Sequence, residues 1–135
     1  MSGRARPANP RRQLLTCNRH ASRCGLHTAP ALALKAPGMV MGIENFMTPA
    51  LSKLKAASAA GYDATVLLIW RQILPVVRYI GSRRYNSGCK AACELLGLSV
   101  GPVRAPIPQY TQEEIAGLKT LLSALDPSLL TGAAR

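Results

Sequence analysis

A chain of 135 residues with 17 Lys or Arg against 6 Asp or Glu carries a net charge of +11, but the charge is not evenly placed. Residues 1–36 hold seven basic residues and no acidic one, while the remainder holds ten basic and six acidic; this excludes a basic surface running the length of the molecule. Four cysteines with no apolar leader after the basic start exclude a disulfide-stapled secreted scaffold.

The first 36 residues, with Arg4, Arg6, Arg11, Arg12, Arg19, Arg23 and Lys35, show neither helical period nor alternation. They offer little apolar surface to offset the entropy of ordering, so this segment is expected to be disordered. Three readings compete for it: an organelle transit peptide, which is also Arg- and Ser-rich; a nucleic-acid arm that would act through phosphate contacts but lacks interleaved aromatics for base stacking; and out-of-frame sequence never selected to fold, the reading the rest of the chain favours. Cys17, His20, Cys24 and His27 supply ligand types that zinc accepts. Their middle spacing of three residues is too tight for the fold-back of common zinc modules, which takes about a dozen or more, and no metal site is assigned.

Gly38-Met-Val-Met-Gly-Ile43 is a short apolar run without alternation, the pattern of a parallel strand buried on both faces. Glu44 follows it, a carboxylate that must face a pocket or find a cation. Thr48-Pro49 opens a helix, Thr as N-cap and Pro with a φ suited to the first turn, and Gly61 closes it. A longer helix begins at Asp63 and lines up Val66, Trp70, Ile73, Val77 and Ile80 on one stripe, flanked by Leu67 and Leu74. Pro75 inside it cannot donate to the carbonyl of Arg71, so a kink is expected. The stretch Val66–Ile80 is interrupted by Arg71, Gln72, Pro75 and Arg78 and is shorter than the roughly 20 apolar residues of a membrane span; Trp70, in mid-stripe, reads as a core anchor.

A short helix capped by Ser87 and stopped by Gly97 places Cys89, Ala92, Cys93 and Leu96 on one face, so both cysteines are expected in a core. The last helix has the fullest local grammar. Thr111 and Glu114 make a capping box, Tyr110 can staple onto Ile115, and Ile115, Leu118, Leu121, Leu122 and Leu125 form its buried face. Asp126-Pro127 ends it, and residues 127–135 are expected to fray.

The run from Asn86 to Ile107, with Lys90 on a short helix, a stop at Leu96-Gly97-Leu98 and the extended link Gly101-Pro-Val-Arg-Ala-Pro106 before a final helix, resembles the C-terminal region of dihydrodipicolinate synthases and N-acetylneuraminate lyases. Gly42, Asn45, Pro49 and the Leu74-Pro75 pair fit the same family, whereas Glu44 and Phe46 stand where it usually has small or apolar residues. Lys90 matches a lysine of an Asn-Pro-x-x-x-Lys pattern in which Ser87 replaces the Pro; it is not the family's Schiff-base lysine, and a solvated surface charge is the plainer reading.

The resemblance covers about Pro37 to Leu125 and implies part of a (β/α)8 TIM barrel, since a whole one needs about 250 residues. Residues 37–61 would be the last βα unit, 62–126 a three-helix tail, and 1–36 a disordered segment outside the fold. It further implies lyase chemistry of the class I aldolase type, in which a barrel lysine forms a Schiff base with pyruvate or a related 2-oxo acid and a tyrosine relays protons. The motifs carrying that lysine and tyrosine do not occur here. The chain has only Lys35, Lys53, Lys55, Lys90 and Lys119, none at the end of a buried strand beside a tyrosine. No catalytic residue and no cofactor are therefore assigned, and Gly42 and Asn45 are the expected edge of the substrate pocket. The reading is of a truncated lyase fragment, inactive alone and cytoplasmic, or mitochondrial if residues 1–36 are a transit peptide. The alternatives are a helical module associating with itself or a full-length homologue, and a nucleic-acid binder using the basic arm.

Overall fold

In the computed structural model residues 25–33 and 40–132 are described, and among them the regular structure is helical throughout. A 3-10 turn at Gly25–His27 leads into α1 (Thr28–Ala33); α2 (Glu44–Ala59), α3 (Asp63–Gly81), α4 (Tyr85–Leu95) and α5 (Gln112–Ser123) follow, and a 3-10 turn at Pro127–Leu129 closes the order. The stripe on α3 makes it the hub. Val66, Trp70, Ile73, Val77 and Ile80 are all buried, joined by Val76, and α3 packs against each of the other four helices. Its length and composition would suffice for a membrane span, but that stripe is already committed to the helical core. The helix runs on through Pro75.

The expected strand at Gly38–Ile43 is not formed where the chain is described. Val40 and Met41 are irregular, Gly42 and Ile43 form a turn, and Gly38 and Met39 lie outside the described residues. A parallel strand satisfies its backbone groups only through neighbours on its edges, and no other strand lies among the described residues. The backbone turns back on itself instead: Glu44 N donates to Met41 O at 3.1 Å, Asn45 N to Gly42 O at 3.3 Å and Phe46 N to Ile43 O at 3.2 Å. The apolar character of the run is still used, since Met41 and Ile43 are buried in the core. α2 consequently starts earlier than Thr48, at Glu44, with a break at Met47 (φ −124°, ψ 26°) after which Thr48-Pro49 restarts the helix. Thr48 does not cap: its Oγ1 donates to Glu44 O at 2.6 Å. Glu44 makes no ion pair among the described residues and sits exposed in the first helical turn, where the positive end of the helix dipole favours a carboxylate.

Glycine ends two helices in the same manner. Gly61 (φ 77°) and Gly97 (φ 78°) adopt the left-handed conformation. Gly61 N and Tyr62 N donate to Ser58 O and Ala57 O, and Gly97 N and Leu98 N to Glu94 O and Cys93 O. Each is a Schellman closure that satisfies carbonyls the helix would leave bare.

Residues 25–33 and 127–132 are more regular than expected. Residues 25–33, which composition assigns to the disordered segment, form the first turn and α1, with Thr28 and Leu32 buried and Ser58 Oγ of α2 donating to Leu32 O. The remaining residues of 1–36, with Cys17, His20 and Cys24 of the zinc-like set, lie outside the described residues. At the other end, Pro127–Gly132 does not fray. Leu129 and Leu130 are buried, Lys53 Nζ donates to Ser128 Oγ and O at 2.8 and 3.2 Å, and Thr131 N donates to Phe46 O at 2.9 Å. Leu129 and Leu130 supply the apolar contact that a helix-ending Asp-Pro signal gives no hint of.

Candidate functional site

Gly42 and Asn45 are brought together by the turn before α2. Asn45 Nδ2 donates to Gly42 O at 2.8 Å, and Gly42 N donates to Tyr85 Oη at 2.8 Å across 43 positions of sequence. Any side chain at Gly42 would meet Tyr85: a Cβ there would lie 2.8 Å from Cε1, 3.0 Å from Oη and 3.2 Å from Cys89 Sγ. Glycine is needed here for close approach, not for its φ. Tyr85 is the neighbour of this candidate corner that sequence reading misses, because nothing local marks a tyrosine at the start of α4 as the acceptor for a turn so far upstream.

The chemistry of this corner is governed by burial. Desolvation raises the Tyr85 phenol above its ordinary value, reinforced by the adjacent Cys89 and opposed by the N–H groups of Gly42 and Ile43. Desolvation likewise pushes the Cys89 thiol up to about 12, despite the hydrogen bond from Tyr85. Cys93 is raised for the same first reason. Both cysteines are free and buried, so they pack in the core as their spacing predicts. A thiol held protonated is a poor nucleophile and a poor metal ligand. Among the described residues no group of three His, Cys, Asp or Glu comes together as a metal site.

A cleft of about 560 Å³ lies between α4, α5 and the intervening link, with Ser87, Lys90, Glu94, Gln109, Tyr110 and Ile115 in its wall. Its charged groups are taken up by the chain itself, whereas the buried Tyr110 hydroxyl has no hydrogen-bond partner among the described residues. Lys90 Nζ donates to the carbonyls of Val100, Gly101 and Pro102 at 2.9, 3.2 and 3.1 Å. Glu94, one turn along, accepts from the N–H groups of Val100 and Gly101 at 2.8 and 2.9 Å, and those bonds hold its carboxyl below the ordinary range. Lys90 is thus no idle surface charge: with Glu94 it clamps the link from both polarities. Ser87 is not the cap of α4 either. It lies inside the helix, buried, and its hydroxyl donates to Pro108 O.

The link leads into the capping box at Thr111, where Glu114 N donates to Thr111 Oγ1 at 3.2 Å and Thr111 N to Glu114 Oε2 at 2.8 Å. The same carboxylate takes a hydrogen-bonded ion pair from Arg84 and a longer one, 3.9 Å, from Arg83. The Thr111 N–H foremost, then Arg84, keep it well ionised. Tyr79 Oη donates to Glu114 O at 3.1 Å, and Arg83 stacks 3.7 Å from the Tyr79 ring centre. The cluster therefore locks α5 onto the ends of α3 and α4.

Residues 19–125 match the model of the dihydrodipicolinate synthetase family, a match that begins upstream of the Pro37 expected as its start and takes in α1. The chain is 36% identical over 95 residues to 4-hydroxy-tetrahydrodipicolinate synthase 2 of Streptomyces coelicolor, covering 70% of this chain and 32% of that protein. It is 32% identical over 94 residues to 4-hydroxy-tetrahydrodipicolinate synthase of Symbiobacterium thermophilum, again 70% of this chain and 32% of the relative, and 28% identical over 98 residues to the Bacillus velezensis protein of that name, 73% and 34%. The chain thus spans about a third of the length of the curated relatives it matches. No solved structure matches it.

Proposed function

The chain belongs to the dihydrodipicolinate synthetase family, and from that premise we propose that it is the C-terminal portion of a Schiff-base lyase acting on pyruvate or a related 2-oxo acid, and that it is without that activity on its own. The part it would supply is the last-strand corner, Gly42 and Asn45 backed by Tyr85, which in the intact fold would edge the pocket, together with the helices behind it. The same reading places it in the cytoplasm.

One observation carries the expectation of inactivity. Imine formation at neutral pH calls for a lysine withdrawn from water beside a proton-relay group. Of the four lysines among the described residues, Lys53, Lys55 and Lys119 are exposed, Lys53 is bonded to Ser128, and the half-buried Lys90 is held by three carbonyls. None meets the requirement. Incubation of the full chain with pyruvate and sodium borohydride, followed by peptide mass spectrometry, tests this: no lysine should be trapped above the level of a bovine serum albumin control. Selective trapping at any one lysine would overturn it.

A further inference from the structure

Three successive carbonyls of the link, those of Val100, Gly101 and Pro102, turn toward one point, the Nζ of Lys90, at 2.9, 3.2 and 3.1 Å. Neighbouring carbonyls of an extended chain point to opposite sides, so this convergence takes a local reversal, which the left-handed Gly101 (φ 65°) allows. The same residues are also organised around an anion, since the N–H groups of Val100 and Gly101 both donate to Glu94 Oε1 at 2.8 and 2.9 Å. Successive N–H groups around one anion make a nest, and successive carbonyls around one cation are its counterpart. The group that fills this counterpart is an ammonium, with three N–H donors and no acceptor, and three carbonyls meet it.

We propose that the carbonyls of Val100, Gly101 and Pro102 form a site for one monovalent cation, in which the Lys90 ammonium is the resident ion, tethered by its side chain to α4. Backbone carbonyls take a potassium ion by replacing its hydration shell and an ammonium ion by accepting its N–H groups, whereas magnesium, which dehydrates reluctantly, is a poor match. The Glu94 carboxylate, one turn along α4, adds negative potential. Tethering gives the lysine its purpose. A dissolved ion would bind three carbonyls on exposed residues only weakly, while an ion carried on the neighbouring helix is present at high local concentration. The link then keeps its order whatever the salt around it. Because Lys90, Gly101 and Pro102 stand in the wall of the cleft, the occupant of this site also sets the shape of that wall. The inference does not rest on the lyase reading, which gives Lys90 no part.

Hydrogen exchange of the full chain tests this with two variants. Lys90→Met keeps an unbranched stem and removes the ammonium, and Lys90→Ala leaves more room for an ion. At one pH, in tetramethylammonium chloride at about 0.3 M, where long-range charge effects are screened alike in every sample, the Val100 and Gly101 amides of both should exchange about tenfold faster than in the unaltered chain. Ammonium or potassium chloride at the same concentration should bring the rate back to within about threefold in at least one of the two variants, and the unaltered chain should exchange alike in all three salts. Lys55→Ala, which removes an equal charge from an exposed position on α2, should leave these amides unchanged. Circular dichroism of each variant checks that the helices remain. Unchanged exchange in both Lys90 variants would show that the carbonyls need no cation. Ammonium and potassium no better than tetramethylammonium in both would show that they accept no free one. Either result overturns the proposal.

Discussion

The start of α5 and the turn before α2 both reverse the chain into a helix, but they are held in opposite ways. At α5 the free N–H groups are met within three residues by Thr111 and Glu114. At Gly42 the N–H is met by a hydroxyl 43 residues away. The first arrangement is available to a short peptide, whereas the second exists only once α4 has docked. A helix start built from its own residues fails gradually and locally, while one built across the molecule fails with the packing.

The largest break of this contrast should come from the helix on which both regions lean. Ile80 of α3 is fully buried, and Ile80→Ala should cost about 2–5 kcal/mol, a large part of the about 5–15 kcal/mol that holds an ordinary domain. Urea unfolding should show the loss, and hydrogen exchange should rise at Gly42 before it rises at Glu114. Tyr85→Phe is the sharper cut. It removes the acceptor of the Gly42 N–H and should cost about 1–3 kcal/mol, with exchange accelerated over residues 41–46 and α5 unaffected. If α5 loosens equally, the two starts are not independent.

Thr111→Ala removes one half of the capping box and should cost about 1 kcal/mol, confined to the first turn of α5 by the same measurement. The mildest perturbation is alkali. The Cys89 thiol lies at about 12 in the fold against an ordinary 9.0, so the folded chain holds its proton where the unfolded chain releases it. Its contribution is complete below pH 9, falls as pH rises through 9, and is exhausted near 12. At pH 9.5 the loss should be about 0.8 kcal/mol, read as a lower urea midpoint, and Cys89→Ala should remove most of that slope. Tyr110, raised to about 12 by burial, should add a further decline only above its ordinary value of 10.0.

What could be read in the sequence follows the same division. The α3 stripe, the glycine stops at Gly61 and Gly97, the capping box and the burial of Cys89 and Cys93 rest on spacing within a few residues, and each is found as expected. The family, too, was legible from the Asn86–Ile107 run and its final helix. The strand expected at Gly38–Ile43 is not formed over its described residues 40–43, because a strand is a property of neighbours, and Gly42 meets Tyr85 instead. Ser87 looked like a cap because serine before an apolar run usually is one, yet its hydroxyl is directed to Pro108. Lys90 looked idle because its partners are backbone carbonyls, to which no residue pattern points. Composition misjudged residues 25–33 since one buried leucine and one buried threonine suffice to seat a short helix on α2 and α3.

The bond from Thr131 N to Phe46 O, with Lys53 gripping Ser128, has a mechanical meaning. Tension applied at the C-terminus would pass first into α2 near its Met47 break, and only after these fastenings give way into α5. The intervening residues would be shielded from load as a closed loop. Under a steady pull the chain should therefore lengthen in two stages, a short early release of residues 126–132 followed by the opening of the helical body.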